Sequence, residues 1–251
     1  MRILVSNDDG IEAEGLLALV KELTRIGEVT VVAPSEQKSA FSHSMTIHGH
    51  LRYEERDLYP GVKAYALWGT PVDCVHVGLK KLCSQKPDIV VSGINEGPNL
   101  GTDLIYSGTV GAAREGFIHG IPAVAVSLCS YTDRDFSYCA RLARETVESF
   151  IDDPLSKVCF LNLNVPSGKP KGIRICDKLG WLEYDEGYKT ITFEDGNSYL
   201  EVADAEITRH FAEDDESVDY NAISAGYASL TPLQLDQIAH EFTEPLHKYQ
   251  R

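Results

Sequence analysis

Apolar positions along the chain change period repeatedly, between a compact strand-like spacing and a helical one. Ile3, Leu4 and Val5 form a short run within Arg2 to Ser6, after which Leu16, Leu19, Val20, Leu23 and Ile26 recur at helical spacing. Gly27 stops that helix, and Glu28 to Ala33 is a β-branched run closed by Pro34. The alternation continues with a helix over Pro71 to Leu82, a buried strand over Asp88 to Ser92, a helix over Thr109 to His119 and a strand over Ile121 to Leu128. A further helix, Arg134 to Ile151, carries Phe136, Ala140, Ala143, Val147 and Ile151 on one side, and the strand Val158 to Leu163 follows it.

Strands and helices in alternation predict an α/β protein: a three-layer αβα arrangement around a mostly parallel, doubly wound sheet. Ligands of such sheets sit beyond the carboxyl ends of the strands. After Pro166 the helical rhythm stops, and strand-like, acidic sequence runs between turns at Gly168, Gly180, Gly187 and Gly196. The charge run Glu213 to Glu216 reads as a solvated loop, Ala222 to Thr231 as a last strand, and the C-terminal segment as compatible with a short helix. The 251 residues are therefore expected to form one domain, with a core over 1–166 and a β-rich extension and C-terminal arm over 167–251.

Composition narrows the setting. Hydrophobic residues at 43% and charged residues at 24% suit a globular protein, and no segment approaches the roughly 20 apolar residues of a membrane span. The opening MRILVSNDDG lacks the regions of a secretory signal, so a cytoplasmic location is expected. Six cysteines contain no C-x-x-C pair, which points to reduced thiols rather than a zinc knuckle or disulfide framework. A net charge of −15 opposes binding to duplex nucleic acid or an anionic membrane, and an anionic substrate would need a bound cation to recruit it.

Candidate chemistry begins at Ser6-Asn7-Asp8-Asp9-Gly10, at the end of the first strand. Neighbouring strand residues point to opposite faces, so two adjacent aspartates converge only where the chain turns, and Gly10 permits that turn. One Asp alone would read as a helix cap. Two carboxylates about 4 Å apart repel by roughly 4 kcal/mol at an effective dielectric of 20, which a bound cation offsets. In the serine-rich loop Pro34 to Thr46, Ser39 is placed to offer a hydroxyl to the same cation.

The stretch Val91 to Glu115 has glycines at 93, 97, 101, 108 and 111, a long ordered loop of the kind that serves function. Asn95, just past a strand end, can complete the metal shell with its amide oxygen. Ser107-Gly108-Thr109 opens a helix, whose unpaired N–H groups suit a phosphate; an N-cap by Ser107 or Thr109 is the simpler role and compatible with the first. Carboxylate, hydroxyl and amide oxygens are hard donors that suit Mg²⁺ or Mn²⁺. His48 and His50 read as surface residues, and His43 as a possible substrate contact.

These segments together strongly resemble the SurE (survival protein E) nucleotidase family. SNDDG at Ser6, APSEQKSA at Ala33, GTPVDCV at Gly69, VSGINEGPNLGTDLIYSGTVGAAREG at Val91, GIPAVAVSL at Gly120, NLNVP at Asn162 and SLTPLQLD at Ser229 carry the resemblance, in order along most of the chain. It implies metal ligands at Asp8, Asp9, Ser39 and Asn95, and a phosphate-contacting loop at Ser107, Gly108 and Thr109. It also implies a Rossmann-like core and hydrolysis of nucleoside 5′-monophosphates, often 3′-monophosphates and sometimes short polyphosphate. The expected assembly is a homodimer or homotetramer built through C-terminal elements. Glu12, Glu14 and Ala40 depart from the commonest family pattern. The expected mechanism is in-line attack by metal-activated water, with Asp8 or Asp9 as the base.

Three other classes fit less well. A signalling receiver domain needs a further Asp after its central strand, where this chain has Gly93. A dinucleotide-binding dehydrogenase needs G-x-G-x-x-G where this chain has NDDGIE. A covalent nucleophile at Ser39 would need a neighbouring base, and no adjacent histidine or lysine clearly supplies one.

Overall fold

A computed structural model describes residues 1–194 and 196–238. The helix expected at the C-terminus, and the end of the C-terminal arm, fall largely on residues 239–251, outside the described residues.

The first strand, β1 (Arg2–Ser6), leads into α1 (Glu14–Leu23), β2 (Glu28–Pro34), and then β3 (Tyr53–Arg56) and β4 (Lys63–Leu67). There follow α2 (Pro71–Val77), β5 (Ile89–Glu96), α3 (Gly108–Ile118), β6 (Ala123–Cys129), α4 (Ser137–Phe150) and β7 (Phe160–Pro166). The remainder forms β8 (Ile173–Ile175), β9 (Leu182–Thr192), β10 (Ser198–Arg209), α5 (Asp219–Ser224) and β11 (Ala228–Leu233).

Nine strands make one sheet in the order β3-β4-β2-β1-β5-β6-β7-β11-β8, while β9 and β10 pair antiparallel as a separate two-stranded arm. From β4 to β7 every neighbour is parallel; β3 and β11 run antiparallel to their inner partners. The expected Rossmann-like, three-layer sheet with extra C-terminal strands is the one observed.

Period-two alternation sorts each central strand between two cores. On one face Ile3, Val5, Val31, Val91 and Val124 pack with Leu16, Leu19 and Leu23 of α1 and Ala143 and Val147 of α4. On the other, Leu4, Val32, Val90 and Ala125 pack with Cys74 and Val75 of α2 and Val110, Ala112 and Ala113 of α3. All six cysteines are free thiols.

Several boundaries differ from expectation. The helix at Pro71 is opened by a Thr70–Asp73 capping box, is α-helical only to Val77, and passes into a π turn over Gly78–Leu82. Ala222 to Thr231 is not one strand: residues 219–224 form α5, Gly226 turns the chain at φ 82°, and β11 starts at Ala228. The strands β3 and β4 carried too weak a signal to be assigned, because β3 is a charged, half-exposed edge and β4 turns mostly small alanines inward.

Candidate active site

The strand order places the site. From β1 the chain goes to β2 on one side and later to β5 on the other, so a crevice opens between the carboxyl ends of β1 and β5. Asp8 and Asp9 follow the end of β1, and Asn95 lies at the end of β5. The turn is held by Asn7, whose Nδ2 donates to the Gly10 carbonyl at 2.9 Å, and by Gly10 at φ 103°.

Asp8 is buried, 4% exposed, and faces the start of α3. Thr109 Oγ1 donates a hydrogen bond to its Oδ1. A side chain at position 108 would lie 3.0 Å from Asp8 Cβ and Oδ2, so any larger residue there would crowd the aspartate. Burial raises the Asp8 carboxyl above its ordinary range, against hydrogen bonds from the Thr109 side chain and from backbone N–H groups including those of Thr109 and Gly108. The anion that the helix N-terminus meets in the structure is Asp8 itself. Ser107 caps α3, its Oγ accepting from the Val110 N–H at 3.0 Å.

Asp9 accepts the Glu96 N–H at 3.1 Å. Burial first, then repulsion from Asp8, pushes its carboxyl up to about 7. It borders a cleft of about 270 Å³ that is also lined by Glu12, Gln37, Glu96 and Arg134. Asn95 donates from Nδ2 to the Gly97 carbonyl at 2.9 Å, which leaves its Oδ1 as the oxygen available to a ligand. Ser39 follows Lys38, whose N–H donates to the Asp8 carbonyl at 2.7 Å; its hydroxyl accepts from Gln37 Nε2 at 3.0 Å. Ser39 therefore neighbours the aspartates through the backbone, and no direct contact joins its hydroxyl to either carboxylate.

Among the described residues, no lysine, arginine or histidine pairs with Asp8 or Asp9, and no cation offsets their shifts. A buried acid beside a half-buried one, without a counter-charge, is costly unless it is protonated or holds a metal. Carboxylate, hydroxyl and amide oxygens fit a hard dication.

Sequence reasoning missed the residues that hold the glycine-rich loop. Asn162 and Asn164, two apart on β7, both donate to the Asn99 carbonyl, at 2.8 and 3.1 Å. Asn99 in turn donates from its N–H to Asn164 Oδ1 at 2.9 Å and from Nδ2 to Ser127 at 2.8 Å. Buried Asp219 accepts the N–H groups of Gly101 and Gly180 at 2.7 and 2.8 Å, locking the loop to the C-terminal region. The period-two spacing of Asn162 and Asn164 is the signal that could have found the first of these. His43, read from the sequence as a possible substrate contact, places Nε2 3.1 Å from Glu115.

Fold and site together define an α/β protein with an acidic oxygen-donor centre at the switch point of its sheet, set against a helix N-terminus. The family described as "Survival protein SurE" matches residues 3–184, and the chain belongs to that family. Similar proteins include the 5′-nucleotidase SurE of Pelotomaculum thermopropionicum, 46% identical over 250 residues, covering 99% of this chain and 95% of that protein. The 5′-nucleotidase SurE of a Synechococcus species is 42% identical over 255 residues, covering 99% and 97%. Among solved structures, the SurE protein from Aquifex aeolicus superposes with a TM-score of 0.84 at 35% identity, with complete coverage of both chains.

Proposed function

We propose that this chain is a divalent-metal-dependent phosphomonoesterase acting on nucleoside 5′-monophosphates. The observation that carries the reading is the pair of buried Asp8 and half-buried Asp9, without a counter-cation, against the N-terminus of α3. The chain is a 5′-nucleotidase, a phosphoric monoester hydrolase, as are the named relatives that it matches over nearly its full length. Nucleoside 3′-monophosphates and short polyphosphate are further substrates in this reading.

Asp8, Asp9, Ser39 and Asn95 would hold one Mg²⁺ or Mn²⁺ per subunit. When bound, that ion supplies charge neutralisation at phosphorus and a water of lowered pKa. Thr109 fixes the Asp8 carboxylate through its hydroxyl, so the ligand does not rotate as charge moves. Asp9, the half-exposed member of the pair, is placed to take a proton from the attacking water. Backbone N–H groups at Gly108 and Thr109, with Ser107 and the helix dipole, receive the phosphoryl oxygens.

The extension beyond residue 166 belongs to the same single domain and carries the contacts of a homodimer or homotetramer; the protruding β9–β10 arm, with Tyr188, Leu200 and Val202 exposed, supports this. A net charge of −15 argues against duplex nucleic acid and anionic membranes as partners. No helix among the described residues is long and apolar enough to cross a membrane, in keeping with a cytoplasmic enzyme.

Phosphate release from a panel of nucleoside 5′- and 3′-monophosphates, with Mn²⁺, Mg²⁺ or EDTA, tests the reading beside Asp9→Asn. Metal-dependent release that the variant loses is the expected result. No release from any monophosphate by folded, metal-loaded protein would overturn it.

A further inference from the structure

A second cluster of metal-ligating side chains lies away from the aspartates, on the flank of α3. Glu115, two turns along that helix, is 3% exposed. Its Oε1 is 2.9 Å from His76 Nδ1, on α2, and 3.0 Å from His119 Nε2, at the end of α3. Those two nitrogens are 3.3 Å from each other. The other carboxylate oxygen, Oε2, is 3.1 Å from His43 Nε2.

Hydrogen bonding alone satisfies this triangle only in a crowded arrangement. A carboxylate oxygen only accepts, so each imidazole must present an N–H to it. Both N–H groups would then converge on one oxygen from nitrogens only 3.3 Å apart, a crowded pairing in which the two donors repel. If instead one imidazole donates to the other, a lone pair is left facing the carboxylate. A cation at the centre removes the conflict by binding all three lone pairs. A tetrahedral ion with bonds of about 2.0–2.1 Å sets its ligand atoms about 3.3 Å apart, and the observed sides are 2.9, 3.0 and 3.3 Å.

We propose that His76, Glu115 and His119 form a second metal site, selective for a borderline dication of the Zn²⁺ class. Two imidazoles and a carboxylate favour such ions, whereas the all-oxygen set around Asp8 and Asp9 favours Mg²⁺ or Mn²⁺. The His76 side chain is 38% exposed, so the fourth position opens to solvent. His43 holds the free oxygen of the ligating carboxylate, the usual place for an outer partner of a metal ligand.

The site also reaches the catalytic loop. His43 belongs to the Ser39-bearing segment, which is tied to the turn just before α3 by the Ser42 N–H donating to the Tyr106 carbonyl at 2.9 Å. A side chain at Gly111 would stand 2.5 Å from the Ser42 carbonyl oxygen, so the loop lies directly on the helix. An ion that fixes Glu115 thereby fixes His43 and steadies the loop.

The test uses full-length protein stripped with EDTA and dialysed against buffered Zn²⁺, with bound zinc counted by mass spectrometry. Asp9→Asn, which disables the oxygen-donor centre, is expected to keep one zinc per chain. Adding His76→Gln and His119→Gln is expected to weaken that binding at least tenfold. Zinc X-ray absorption on Asp9→Asn should show imidazole scattering, a readout that stands even if the histidine variants fail to fold. Zinc should also slow amide exchange across residues 39–46. An all-oxygen shell, no zinc retained by Asp9→Asn, or unchanged affinity in folded histidine variants would overturn the site. Unchanged exchange on zinc binding would overturn its tie to the loop.

Discussion

Replacing Asp9 by Asn should stabilise the metal-free protein while abolishing its activity, and the gain should grow with pH. The Asp9 carboxyl is raised from 3.8 to about 7 by burial and by Asp8. Between those values the unfolded chain has released this proton and the folded chain has kept it, so stability falls as pH rises through the window. At 1.36 kcal/mol per decade the full loss is about 4 kcal/mol, absent below pH 3.8 and complete above pH 7. Water reaching a half-buried carboxylate reduces this to about 2 kcal/mol, of which rather more than half accrues between pH 5 and pH 8. Asn does not titrate, and its amide oxygen can still accept the Glu96 N–H. In EDTA the apparent Tm of the variant should therefore exceed that of the wild type by about 2–4 °C more at pH 8 than at pH 5. Adding Mn²⁺ at pH 8 should reverse the order, because the ion stabilises only the chain that binds it. A gap independent of pH, or a variant less stable than wild type at pH 8 in EDTA, would refute the reasoning.

Thr109→Val keeps the shape of the side chain and removes the donor to Asp8, which costs about 1–3 kcal/mol for a charged acceptor; steady-state kinetics should show kcat falling tenfold or more with little change in KM. Asp219→Asn weakens the acceptor shared by the N–H groups of Gly101 and Gly180, and urea unfolding should report a loss of about 1–3 kcal/mol, with faster amide exchange at both glycines.

What the sequence made legible was local. The parallel core could be read because Leu4 against Ile3 and Val5, and the helical spacing of Leu16, Leu19 and Leu23, each serve one period and one buried face. The aspartates could be placed because they follow a strand at its carboxyl end, and the Ser107 cap because its residue type has a local role. The histidine cluster was not legible, since His43 and His76 meet Glu115 from 72 and 39 residues away and each looks like an isolated polar residue. Asp219 was missed for the same reason, its partner Gly101 being 118 residues distant. His48 and His50 are exposed, as their polar surroundings suggested.

The distribution of polar contacts along α3 explains why one helix recurs in each part of the chemistry. Its sequence, GTVGAAREGFI, is a poor helix former, because each interior glycine costs about 1 kcal/mol relative to alanine. Packing must make up that loss, and glycines are what let it do so: Gly108, at the first position, lets Asp8 approach, and interior Gly111 admits the Ser42 carbonyl. A helix richer in alanine would be locally more stable and would push away both the aspartate turn and the serine loop. Glu115, one turn beyond Gly111 on the same helix, then meets His43 from that loop. The low propensity of α3 is thus the condition under which the β1 turn, the loop after β2 and α2 can converge on a single rigid element.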